Sequence, residues 1–263
     1  MQPQRTPLQV TISVWYALFV REALSRTTAD RMAWFWMLVE PAAAVLVFIA
    51  LRAVFFGNLR HIDGAPTIPW MLVGLFGFNL ISNVMLRGIG AMDANKALFS
   101  YRQIKPIDPV VVRFYVEALL VTFIFLLFML VAVALEAPVQ VDKPLEAVFM
   151  WFILWLLGVG LGLIFSAVAS LVPEMGKVIR ILSMPLMIIS GVIIPLQTLP
   201  ASFSDILIWN PIAQAIELLR SEFFANYRTM PQVSITYTVS WVLGTLGLGL
   251  LLHLRFEGLF KRL

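Results

Sequence analysis

Long apolar runs alternate with short charged stretches along this chain. Nearly unbroken apolar runs fall at about 34–56, 70–90, 111–135, 146–172, 178–196 and 233–254. Each is close to the roughly 20 residues that a helix needs to cross a bilayer. The pattern predicts an all-α membrane protein with six transmembrane helices, the fourth long enough to tilt or to extend past the bilayer. Ahead of the first run, Leu8, Ile12, Trp15, Phe19 and Ala23 recur at intervals of three or four. That spacing predicts an amphipathic helix lying in the membrane interface, with Arg21, Glu22 and Arg26 at its end. Too few residues separate Pro7 from those charges for a seventh span, so the helix is an anchor, a partner contact or both. Residues 1–33 then form an N-terminal interface piece, and 34–263 form one transmembrane permease domain. The first apolar run is also too long for the core of a signal peptide, roughly 7–15 residues.

Two stretches between the runs have their own pattern. Residues 92–113, MDANKALFSYRQIKPIDPVVVR, read as a short helix with Asp93 as N-cap, stopped by Pro106 and Pro109. It is either a rigid element touching another protein or an ordinary charged loop. Residues 197–232 are too apolar for a solvated loop and too broken to span. Ser204 or Asp205 is a candidate cap for one short helix, Pro211 breaks the chain, and a second helix is predicted over 212–226. Ile212, Ile216, Leu219 and Phe223 share one face of that helix, and Glu217 and Arg220 are spaced to pair. The reading is a re-entrant helical hairpin at the outer surface, because irregular backbone at membrane depth is tolerated only when buried in protein or lining a cavity. A pair of interfacial helices is the rival reading.

Charge fixes the direction of insertion. With the N-terminus in the cytoplasm, 14 of the 19 basic residues fall on the cytoplasmic side. The outer side keeps Arg52, Arg60, Lys143, Arg220 and Arg228. Positively charged residues favour the cytoplasmic side, and an even number of spans puts both termini there. Composition agrees: the chain is 60% hydrophobic and 13% charged, against about 45–50% and about 25% in soluble domains. Charges inside apolar runs need protein or water beside them. Glu40, followed by Pro41, is one; Arg113 and Glu117, four residues apart on one face, are a second candidate pair. Arg52 is close enough to an end to snorkel. Trp34, Trp36, Trp70, Trp151 and Trp155 fall near expected interfaces and read first as membrane anchors.

The chemistry that is missing narrows the function. There is no cysteine, and only His61 and His253 supply imidazole, so thiolate and His-rich metal sites are excluded. Scattered histidines also argue against a membrane-embedded enzyme acting on lipid. No set of mid-span carboxylates suggests an ion relay, no internal repeat suggests a secondary transporter, and no potassium-channel filter is present. No phosphate-binding loop of the G-x-x-x-x-G-K-[ST] type occurs. Transport driven by ATP would need a separate ATPase, which would give residues 92–105 and the N-terminal helix a partner; a scaffold without transport would have none.

Several stretches in this order resemble the membrane subunit of capsular-polysaccharide ABC exporters, the KpsM-like group of the type-2 ABC permeases. They are REALSR at 21–26, Glu40–Pro41, ANKALFSYRQIKPID at 94–108 with Arg113 and Glu117, and NPIAQAIELLRSEFFANY at 210–227. The chain departs at Gln214, where many relatives carry histidine, and at TTADRM, 27–32, where a basic linker is usual. The resemblance implies no catalysis on this chain, a homodimeric pore, and two cytoplasmic ABC ATPase subunits that bind ATP and Mg. Residues 92–105 would then be the coupling helix, with Arg21, Glu22, Asp93, Asn95, Lys96, Phe99 and Arg102 as coupling residues. Glu40, Arg87, Tyr101, Arg113 and Glu117 would line the substrate path. Asn210, Pro211, Gln214, Glu217 and Arg220 would form the outer gate. The cargo would be a lipid-linked, usually anionic polysaccharide leaving a bacterial inner membrane toward a periplasmic co-polymerase or adaptor and an outer-membrane channel. No nucleic acid is expected. Arg87, Arg102 and Arg113 suit an anionic chain, with topology signalling and anionic lipid as rivals. Exporters of O-antigen, teichoic acid or a small molecule would share the scaffold.

Overall fold

The computed structural model describes residues 6–28, 31–56 and 61–262. The chain begins with α1 (Pro7–Thr28) and α2 (Ala33–Phe56). A hairpin of β1 (His61–Ile62) and β2 (Ala65–Pro66) leads to α3 (Thr67–Gly88). A 3-10 helix, Asp93–Ser100, precedes α4 (Ile107–Ala134), α5 (Pro144–Leu171) and α6 (Pro173–Ile189). A short 3-10 turn at Leu196–Thr198 then leads to α7 (Ala201–Leu207), α8 (Pro211–Phe223), α9 (Ile235–Arg255) and α10 (Glu257–Phe260).

Among the described residues four helices are long and apolar enough to cross a membrane: α3, α4, α5 and α9. The apolar stretch of α2 is shorter, Phe35–Leu51. The fifth predicted run, 178–196, is not one helix. α6 starts earlier, carries Glu174, Lys177 and Arg180 in its first turns, and ends at Ile189. Gly191 then adopts φ +69°, a conformation that breaks the helix, and the chain turns into Pro195. The Arg52 and Trp34 side chains, Arg5, Arg60, and residues 29–30 of the TTADRM linker lie outside the described residues.

α3 is the centre of the bundle. In its apolar window 83% of residues are buried in protein, against 22% in α9. α4 and α5 pack on α3, and α9 packs on α5. Glycine lets these backbones approach. A β-carbon at Gly158 of α5 would lie 3.0 Å from the Ile81 backbone, and one at Gly160 would lie 2.3 Å from Thr245 Oγ1 of α9. Small residues at such contacts replace the hydrophobic drive that lipid does not supply. The opposite face of α4, with Leu119, Phe123, Leu126 and Leu130, is exposed and suited to lipid.

Three local expectations need correction. Asp93 does not cap the 93–100 helix: Met92 holds the N-cap position, and Asp93 pairs with Lys96 at 3.1 Å. Pro106 and Pro109 do not stop that helix, which ends at Ser100; they open α4, where a proline costs no helical hydrogen bond. Neither Ser204 nor Asp205 caps α7, whose N-cap is Pro200. The α1 face that packs on α4 also differs from the predicted stripe. Trp15, Leu18 and Glu22 turn inward, while Leu8 and Ile12 stay exposed.

Replacing Gly160 by leucine should overpack the α5–α9 contact at a cost of about 1–3 kcal/mol. Thermal unfolding of the purified protein should shift down by several degrees. Gly244→Ala, which meets open space, should leave the midpoint within about a degree, since surface changes are usually small.

Candidate functional site

Charged and polar residues gather at two ends of the bundle. At one end α1 straps across α4. The Trp15 indole N–H donates to Asp108 Oδ1 at 2.9 Å, and Asp108 Oδ2 accepts the Lys105 backbone N–H at 2.7 Å. Arg21 donates to Asn95 Oδ1, and the buried Asn95 amide donates to the Ala91 carbonyl at 2.8 Å. This ties α1 to the 93–100 helix from below. On the other side of that helix Asp93, Lys96 and Arg102 stay exposed, as does Tyr101, while Phe99 is half-buried against the core. The Asp93–Lys96 pair is solvated and worth little as a stabiliser.

One turn further along α1 lies an ion cluster. Glu22 Oε1 is 3.2 Å from Arg113 Nε of α4 and 3.7 Å from Arg26 Nε. Glu117 Oε1 lies 2.8 Å from Arg26 and 2.8 Å from Arg87 Nε of α3. Neither Glu117 contact is aligned as a hydrogen bond. Burial pulls the Arg26 guanidinium below its usual range; Glu117 opposes this shift and Arg87 adds to it. The predicted Arg113–Glu117 pairing is not formed. Each residue takes a partner from another helix, because α1 and α3 bring a closer opposite charge than the i,i+4 neighbour does.

Two cavities adjoin the cluster. One of about 640 Å³ is lined by Glu22, Ser25, Arg26, Asn83, Arg87, Arg113 and Arg180. A second, of about 460 Å³, shares Arg26, Asn83 and Arg87 and continues between α2, α3 and α4. Glu40 lines this second cavity, is exposed, and makes no ion pair among the described residues.

At the other end α8 is held by a buried polar knot. Arg220 and Glu217 are fully buried and 3.0 Å apart. Arg220 also donates to the Gly191 carbonyl at 2.8 Å and to the Val192 carbonyl at 3.1 Å, the point where the chain leaves α6. Its guanidinium stacks 3.5 Å over the Trp70 ring. Trp70 is therefore no membrane anchor; it is wholly buried as the floor under Arg220. Tyr227 donates to Glu217 at 2.9 Å and Gln197 does so at 2.9 Å. Burial pushes the Tyr227 phenol above its usual range and so keeps it a donor. Asn210 caps α8 by accepting the Ile212 N–H at 3.0 Å and donates to Ser190 Oγ at 2.9 Å, with Pro211 at the first helical position. Gln214 uses both ends of its amide: it donates to the Ile208 carbonyl at 2.8 Å and accepts the Ser234 N–H at 3.0 Å.

The hairpin-end residues predicted from sequence thus come together, while the α1-end set divides between an exposed face and the internal cluster. Glu22 belongs to the cluster. Sequence reading missed Trp15, Asp108, Asn83, Gln197 and Tyr227, and it treated Arg26 and Arg180 as topology charges alone. The spacing of Glu22 and Arg26 on α1 was the available signal. Among the described residues no group of three or more His, Cys, Asp or Glu side chains is placed to hold a metal.

A bundle with apolar outer faces, a polar cavity at one end and a folded-back helix pair at the other defines a multi-pass membrane protein of the transport-subunit type. The chain belongs to the ABC-2 type transporter family, whose profile it matches over residues 13–224. It is similar to the polysialic acid transport protein KpsM of Escherichia coli, 35% identical over 240 residues that cover 90% of this chain and 91% of that one. It is also similar to the capsule polysaccharide export inner-membrane protein BexB of Haemophilus influenzae, 28% identical over 92% of this chain and 90% of that one. The corresponding protein CtrC of Neisseria meningitidis is 25% identical over 90% of this chain and 86% of its own length.

Arg220→Ala should be severely destabilising, because it leaves Glu217 as a buried, uncompensated charge, at about 3–5 kcal/mol. Adding Glu217→Gln should recover part of that loss. Fluorescence-detected size exclusion of membrane extracts would read both. Equal yields for the single and double variants would show that charge pairing is not what holds α8.

Proposed function

We propose that this chain is the transmembrane subunit of an ATP-driven exporter that moves a lipid-linked, anionic capsular polysaccharide across a bacterial inner membrane. The observation that carries the reading is the 35% identity to a polysialic acid transport protein over nine-tenths of both chains. That stretch is long enough to take in both the α1 end and the hairpin end. Two copies form the path. Six spans, with α2 and α6 completing the four long apolar helices, place both termini in the cytoplasm. This chain does no covalent chemistry; two separate cytoplasmic ATPase subunits bind ATP and Mg and supply the work.

The 93–100 helix suits the coupling role physically. Asn95 and Phe99 anchor it from within, and Lys96, Tyr101 and Arg102 stay exposed to a partner. Arg21 adds to the contact through its bond to Asn95. Glu40, Arg87, Arg113 and Glu117 lie on the substrate side of the assembly, and the Arg220-centred hairpin closes the outer end. Beyond it, a periplasmic co-polymerase and an outer-membrane channel receive the polymer.

Charge reversal at Lys96 and Arg102 should uncouple the motor without preventing insertion. Capsule at the cell surface should fall at least about tenfold, the loss expected when charge-assisted contacts are replaced by repulsion. The ATPase subunit should no longer co-purify, while the amount of membrane-inserted protein stays constant. Normal capsule export in the doubly reversed strain would sink the coupling assignment.

A further inference from the structure

The charges at the α1 end do not balance. Arg26, Arg87, Arg113 and Arg180 meet there; among the described residues Glu22 and Glu117 pair with them, and Glu40 lines the adjoining cavity, so the cations still outnumber the carboxylates. Arg26 and Arg113 are largely buried between the two carboxylates, whereas Arg87 is about half exposed, at 48%. Arg180 reaches the same cavity from α6 and has no carboxylate partner among the described residues. Because the Glu117 contacts are not aligned with the guanidinium N–H bonds, the planar donor forks of Arg26 and Arg87 are not consumed by that carboxylate. A cationic surplus held partly out of water is costly unless an anion completes it. Guanidinium groups converging on a cavity suit the oxygens of a phosphate, which, like a carboxylate, they can bind two oxygens at a time.

The shape of the space adds the second half of the ligand. The cavity of about 640 Å³ holds the arginines and is polar, with room for a phosphate ester and its head group. The adjoining cavity of about 460 Å³ shares Arg26, Asn83 and Arg87, carries Glu40 and Glu117 on its wall, and has an apolar side along Phe48, Leu75 and Ile124. A charged site that opens directly into an apolar cleft between α2, α3 and α4 fits one molecule carrying both a phosphate and a hydrocarbon chain. Neither inorganic phosphate nor an unsubstituted sugar would use both halves.

We infer that Arg87 and Arg180 hold the phosphodiester of an acylated lipid whose chain lies in the cleft between α2, α3 and α4. Two molecules carry that chemistry: an anionic phospholipid of the surrounding membrane, or the lipid terminus of the exported polymer. Only the second rests on the proposed function.

Native mass spectrometry of the full-length protein, titrated with phosphatidylglycerol and with phosphatidylcholine, tests the site. Both lipids carry the phosphodiester, but the choline cation of phosphatidylcholine would meet the arginine cluster, so phosphatidylglycerol should bind at least about tenfold more tightly, the margin that a like-charge juxtaposition sets. Arg180→Gln, at an exposed and unpaired position, should remove most of that preference without affecting folding. Arg87→Lys should keep part of it, and Arg87→Gln with Arg180→Gln should abolish it, while Arg255→Gln changes nothing. Equal affinity for the two lipids, or unchanged phosphatidylglycerol binding in the double variant, would overturn the inference. So would displacement of the lipid by inorganic phosphate at equal concentration. Displacement by purified lipid-linked capsular polysaccharide identifies the site as the cargo's; bound phosphatidylglycerol that survives this competition identifies it as a membrane-lipid site. Unchanged capsule export in a strain that lacks this chain, with lipid binding by the purified protein intact, would count against the exporter reading and leave the site standing.

Discussion

A guanidinium wholly removed from solvent holds one end of this protein together. The chain must leave α6 at Ser190, turn back through two short helices and still bury its backbone. The Gly191 and Val192 carbonyls exposed by that turn have no helical partner. Arg220 supplies both, and its own charge is matched by Glu217 and by the face of Trp70. Glu217 in turn is satisfied by Tyr227 and Gln197. A buried ion pair of this kind is poor evidence for stability by itself, because desolvation offsets much of its attraction. Its value here is geometric. It fixes where α8 lies relative to the break in α6, because Arg220 and Glu217 each hold several partners at hydrogen-bond distance, although Arg220 Nε and Gln197 Oε1 make no hydrogen bond. Gly74 belongs to the same constraint, since any β-carbon there would strike the Arg220 guanidinium.

The α1 end has the opposite character. Its arginines outnumber its carboxylates, its contacts are ion pairs by distance and poorly aligned as hydrogen bonds, and it opens into two cavities. A wholly buried knot resists rearrangement, whereas a cluster that opens into cavities accepts a ligand and can trade partners at low cost. The fold therefore separates a rigid end from an adaptable one, with α3 as the shared axis: Trp70 near its start belongs to the knot, and Arg87 in its last turn belongs to the cluster.

The apolar pattern made α3, α4, α5 and α9 legible, together with a helix ahead of the first run and the two short helices before α9, but it read 178–196 as one span that Gly191 in fact breaks. Most hydrophobic runs act locally and survive translation into structure; the prolines marked a boundary but opened α4 instead of stopping the 93–100 helix. Pairing did not survive in the same way. Arg113 and Glu117 have the spacing of an intrahelical pair, yet Glu22, far off in sequence, stands closer to Arg113 than its helical neighbour does. Glu217 and Arg220 have a similar spacing and do pair, because the surrounding helix packing excludes water and offers no competing charge. Trp70 reads as an interfacial anchor until the Arg220 guanidinium above it is known. One local signal was available and passed over: Asp63–Gly64 between two short runs is a hairpin turn. Both residues adopt positive φ, and Gly64 abuts the Asn226 carbonyl, where a side chain would not fit.

The two functions assigned to the α1 end meet on one helix. Arg21 and Glu22 are consecutive in α1, so their side chains leave the axis about 100° apart, given 3.6 residues per turn. Arg21 reaches Asn95 of the 93–100 helix; Glu22 reaches Arg113 of α4, and Arg26, a turn later, reaches Glu117. α1 thus touches the exposed helix and the arginine cluster through rigidly spaced side chains. A displacement of the 93–100 helix that carries Asn95 with it must either stretch the Arg21 bond or rotate α1. Rotation of α1 moves Glu22 and Arg26 together. Since Arg113 pairs with Glu22 and Arg87 shares Glu117 with Arg26, the same motion alters how many guanidinium donors face the cavity. If the exposed helix takes up the work of a motor, as proposed, that motion would change the affinity of the inferred phosphate site without any contact between the two, through the differential interactions that such coupling requires.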